Sequence, residues 1–160
     1  YSKKIKSLES TKKYFKESQS LTGVELKEFS LLYLVINNLN LLQANIHLID
    51  NIKLFTEINK KIFEMIIEKL KSGSQITTQD LNLDVQLTEK INKFAPIKHI
   101  LKKQSDDDQK IIELLEDISR DLMNFDLEFR IQELESKFSL DMNEATFNEL
   151  KELKKKQNLN

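Results

Sequence analysis

Residues 105–156 read SDDDQKIIELLEDISRDLMNFDLEFRIQELESKFSLDMNEATFNELKELKKK, a stretch without a single Gly or Pro. Ser105 followed by Asp106, Asp107 and Asp108 marks a helix start. Ser is a favoured N-cap, and carboxylates suit the positive end of a helix dipole. Beyond it, Ile111, Leu115, Ile118, Leu122, Phe125 and Phe129 recur at the spacing of one helix face. Leu127, Ile131, Leu134 and Phe138 do the same, two residues out of phase. Two residues turn a helix by about 200°. The pattern therefore predicts a helix of roughly 33 residues, about 50 Å long, that buries opposite faces along its length or bends at a hinge near Asn124. Ser139-Leu140-Asp141 is a short break, and Asp141-Met142-Asn143-Glu144 caps a new start. Phe147, Leu150 and Leu153 follow at spacing three, and Lys154-Lys155-Lys156 suits the negative helix end. A connection this short makes 127–138 and 143–156 an antiparallel hairpin. Its apolar seam is about three layers deep, which makes it marginal alone.

Working outward, the chain of 160 residues suits one domain with an appendage. Two Gly and one Pro are too few for the turns of an all-β fold. Two glycines fifty residues apart cannot write a phosphate loop. No Cys is present, which excludes disulfides, a cysteine nucleophile and Cys-ligated metal sites. Leu and Ile supply 25 and 17 residues, enough for a genuine core. The longest apolar run, Leu31 to Ile36, is six residues and cannot span a membrane. No signal peptide is evident, so a cytoplasmic location is expected. A first residue Tyr1 rather than Met leads us to expect a piece of a longer chain.

The net charge is −1, but it is unevenly spread. Residues 1–20 carry six Lys and two Glu, whereas 106–150 carry four bases and fourteen acids. An acidic distal third argues against direct nucleic-acid binding. So does a basic set of 23 Lys and two Arg, since Arg is preferred for bidentate reading of phosphates and bases.

The remaining segments also read as helix. In 3–20, Ile5, Leu8, Lys12 and Phe15 draw a narrow stripe on a Lys-rich helix or linker. Thr22-Gly23-Val24-Glu25 is a capping box. The helix it opens, 24–36, is apolar almost all round and must lie at the centre of a bundle. Asn37-Asn38 interrupts, and Leu39-Asn40-Leu41-Leu42 starts a short second helix. Phe55, Ile58, Ile62, Phe63, Ile66, Ile67 and Leu70 form the broad stripe of a third, closed by Gly73 as left-handed cap. Thr77 to Asp80 is a further capping box, and Leu83, Leu87, Ile91 and Phe94 mark a helix that stops at Pro96. The expected fold is all-α: a helical bundle joined by a long helix to a C-terminal two-helix hairpin. The expected divisions are 1–22, an N-terminal helix or linker; 23–125, the bundle; and 126–160, the hairpin.

No catalytic constellation is legible. His47 and His99 lack the Glu-x-x-His and His-x-x-x-His spacings of metal sites, so structural roles are expected. Glu113, Glu116, Asp117 and Asp121 read as a solvated face. Nothing assembles a nucleophile, a base and an oxyanion site, so no enzyme is expected in this segment.

The stretch Leu127-Glu128-Phe129-Arg130-Ile131-Gln132-Glu133-Leu134-Glu135, through Leu140-Asp141-Met142-Asn143-Glu144 to Phe147-Asn148-Glu149-Leu150-Lys151-Glu152-Leu153, resembles the C-terminal helical hairpin of bacterial DNA primase. Phe29 to Leu42 is similar to the opening helices of the same domain, with Asn38-Leu39 where the family has Asn-Pro. The resemblance covers about residues 24–157. It implies a non-catalytic module that docks on the hexameric replicative DNA helicase, coupling primer synthesis to the fork. It implies no cofactor in this segment, and zinc and magnesium for the upstream domains of a primase. It places the helicase-binding surface on the hairpin, and Phe138, Phe147, Leu150, Leu153 and Lys154 are the expected contacts there. Mutual burial of the four apolar residues is the competing reading, although a narrow hairpin cannot shield them all. The same fold is similar to the N-terminal domain of the helicase itself, so a self-associating helicase domain is the alternative.

Overall fold

A computed structural model describes residues 21–73, 76–101 and 107–158. The stripe at 3–20 and the caps at Ser105 and Asp106 lie outside the described residues. Those described form six α-helices, α1 Gly23–Asn37, α2 Leu39–Ala44, α3 Glu57–Lys71, α4 Val85–Phe94, α5 Asp108–Leu140 and α6 Glu144–Gln157. Single 3₁₀ turns at Ile46–Leu48, Thr78–Leu81 and Pro96–His99 connect them, and no strand occurs among the described residues. The chain is all-α, as its composition requires.

α1 is the axis of the bundle. Thr22 Oγ1 accepts from the Glu25 amide at 3.2 Å, and the Glu25 carboxylate accepts from the Thr22 amide at 2.8 Å. Leu31, Leu32, Leu34 and Val35 are fully buried, because α3, α4, α5 and the Pro96–His99 turn all pack on this helix. It ends where Asn37 and Asn38 donate side-chain amides to the carbonyls of Tyr33 and Leu34 at 2.7 and 2.8 Å. These bonds offer the last turn an alternative to further helix. Asn45 ends α2 the same way, on the Leu41 carbonyl at 2.9 Å.

Three boundaries before α5 differ from the sequence reading. Phe55 precedes α3 instead of opening its stripe, because the Phe55 and Thr56 amides turn to a carboxylate on α1. The capping box at Thr77 serves a single 3₁₀ turn. Asn82 then adopts a left-handed φ of 45°, which breaks the helix. α4 starts afresh at Val85, capped by Asp84, so Leu83 lies before it. Gly73, at φ 76°, does close α3.

α5 is continuous for 33 residues and is capped by Asp107. α5 stays helical through Asn124, and different faces are buried on its two sides. Ile111, Leu115, Ile118 and Leu122 complete the bundle core, while Ile131 and Leu134 join Leu150 of α6 in a second cluster. Phe129, expected to continue the first stripe, is 60% exposed, meeting the bundle edge to face at Phe55 without being covered by it. α6 starts at Asn143, whose side chain accepts from the Ala145 and Thr146 amides, and not at Asp141.

Candidate functional site

The hairpin of α5 and α6 holds itself together with little. Ile131, Leu134 and Leu150 are buried, and Leu127 and Leu153 pack beside them. Two ion pairs cross between the helices, Arg130–Glu149 and Lys154–Glu135, each at 2.5 Å. Both lie in water, where such pairs contribute about 0–1 kcal/mol. Phe138 and Phe147 meet as a tilted pair, ring centroids 5.7 Å apart.

The residues singled out from the sequence divide between two roles. Leu150 is buried and belongs to the hairpin seam, and Leu153 flanks it. Phe138 is half-buried under Phe147, which is 48% exposed. Phe147, Leu150 and Lys154 come together, with Lys151, Lys155 and Asn158, around a shallow concavity of about 410 Å³ along α6 beside the hairpin seam. That face is apolar toward the hairpin tip and cationic toward the chain end. Lys154 is the one of its lysines that ties back to α5, through Glu135.

Sequence reasoning passed over the tip itself. Leu140 is 90% exposed and Met142 82%. Two large apolar side chains flanking Asp141 in a turn was the available signal, since turn positions are ordinarily polar. No protein-family model, curated protein or solved structure matches this chain.

The histidines are not packing residues: both are exposed, His47 on one 3₁₀ turn and His99 on another. No three His, Cys, Asp or Glu among the described residues are grouped to hold a metal. No helix among the described residues is long and apolar enough to cross a membrane.

Proposed function

We propose that this chain is a docking module of a DNA primase, and that its hairpin engages the hexameric replicative helicase. The observation that carries the reading is the mismatch on the hairpin between a sparse internal seam and a large unshielded apolar surface. Three buried residues hold α5 to α6, while Leu140, Met142 and Phe147 at and near the tip are exposed. Exposed apolar groups clustered this way mark interaction surfaces. α6 presents Phe147 beside Lys151 and Lys155 along the hairpin seam, a pairing suited to a partner patch that is apolar at its centre and acidic at its rim.

The test is binding of the full chain to the cognate hexameric helicase by calorimetry. Phe147→Asp should weaken binding by at least tenfold, about 1.4 kcal/mol, with unchanged helical content. Lys155→Glu should mainly slow association and flatten its salt dependence. If a chain ending at residue 125 binds as tightly as the whole, the hairpin has no part in docking. A stable homo-oligomer without affinity for the helicase would favour the alternative, a self-associating helicase domain.

A further inference from the structure

A second apolar surface lies at the root of the hairpin, where α5 leaves the bundle. Phe55, Phe125 and Phe129 line a groove of about 490 Å³. Phe55 and Phe129 meet edge to face, ring centroids 6.3 Å apart, and both remain exposed. Glu25 and Glu128 also line the groove, and no Lys, Arg or His does. Glu25 is engaged by the Thr22 capping box, whereas Glu128 makes no ion pair among the described residues. Lys27 stands over the Phe125 ring, 5.7 Å from its centroid, and is paired with Asp121. This aromatic wall therefore already holds one ammonium group.

α6 carries the complement. Phe147, Lys151 and Lys155 recur at intervals of four and form one ridge along the helix. All three are exposed. With Lys154 they border a concavity lined by three Lys and no acid. Lys151 makes no ion pair among the described residues, and Lys155 meets only the exposed Glu152 on its own helix, at 2.8 Å. We propose that the α6 ridge of one copy of this chain packs into the root groove of a second copy, with Lys151 against Glu128. Charge complementarity supports this first, since one surface has carboxylates without cations and the other cations without carboxylates. Dimensions support it second. Phe147 to Lys155 spans about 12 Å of helix, and Phe125 to Gln132 of the groove about 10 Å. Symmetry supports it third. The two surfaces share no residue, so a pair of copies about a two-fold axis makes the contact twice. The inference goes beyond the docking reading and does not rest on it.

The experiment is sedimentation equilibrium of the full chain over a range of concentrations, without helicase. The parent chain should form a dimer whose dissociation constant rises at least about tenfold in Glu128→Lys and in Lys151→Glu. Both substitutions are at exposed helix positions and exchange good helix formers, so helical content should be unchanged. An equimolar mixture of the two variants should dimerise as the parent does. Each mixed pair contains one native contact and one with its charges exchanged. A parent chain that stays monomeric at every concentration overturns the proposal, and so does a dimer that either variant leaves intact. A mixture that stays monomeric also overturns it, because the lost association would not then come from pairing of these two residues. None of these outcomes bears on affinity for the helicase.

Discussion

Glu28 has no water around it, at 0% exposure, yet its carboxylate is fully engaged. One oxygen accepts from the Phe55 amide at 2.5 Å and the Thr56 amide at 3.0 Å, and the other from Asn59 Nδ2 at 2.8 Å. These donors form the first turn of α3, whose own N-cap, Thr56, makes no side-chain bond. The negative charge thus sits on the positive end of the α3 dipole and replaces the missing local cap. Glu28→Leu would bury three donors without partners and should destabilise the chain by about 2–4 kcal/mol in chemical denaturation. Glu28→Gln keeps an acceptor and should cost less. Asp80 is a milder case at the surface. Hydrogen bonds from the Thr77 hydroxyl and amide, with Lys69 nearby, hold its carboxyl below the ordinary aspartate value. A depressed folded value means a contribution complete above the unfolded value and lost as pH falls through the folded one. Carboxyl NMR should therefore find Asp80 titrating below an ordinary aspartate, and Thr77→Val, which removes the hydroxyl but keeps the amide donor, should move it part of the way back. Asp80 was legible in the sequence because its partner lies three residues away. Glu28 was not, because its partners lie 27 to 31 residues away and nothing local distinguishes it from a surface glutamate.

α5 is the element on which the two parts of the molecule depend. Its N-terminal half supplies four buried apolar residues to the bundle and its C-terminal half two to the hairpin, on faces turned away from each other. Period and phase were written in the sequence, since side-chain direction on a helix follows from spacing alone. Whether the phase shift bends the helix or rotates the buried face was not, because both satisfy the same spacing. Continuity through Asn124 follows from what lies on either side, good helix-forming residues and no Gly or Pro. Asn124→Pro should cost about 3 kcal/mol or more and lower the helical signal in circular dichroism, because it removes an amide donor and clashes with the preceding turn. On α6, Leu150→Ala should cost about 2–5 kcal/mol of local stability, enough to open the hairpin while the bundle melts at its usual temperature.

At the scale of the whole molecule, burial is concentrated in one place. The bundle core gathers apolar residues from Phe29 to Leu122, whereas the hairpin has a seam of three. Surface ion pairs do not compensate for that difference. Native-state exchange should accordingly show α6 amides opening at a lower free energy than those of α1. Equal protection of the two would mean that hairpin and bundle unfold as one unit. A weakly held hairpin with an apolar tip is the arrangement expected of a segment that gains its stability by meeting a partner, and it is the physical basis of the docking proposal.

Periodicity, capping residues and the scarcity of Gly, Pro and Cys were enough to establish an all-α chain with a buried first helix and a terminal hairpin, because these depend on neighbours within a few residues along the chain. The tertiary structure alone decided which apolar residues stay exposed. Phe129 follows a helical stripe as regularly as Leu122, but it lies at the margin of the bundle, so it is 60% exposed while Leu122 is fully buried. It also decided that Glu28 caps α3, and that Phe55 and Phe129 meet to form a groove at the root of the hairpin. Exposure and long-range pairing depend on where other elements stop, and local spacing along the chain carries no record of that.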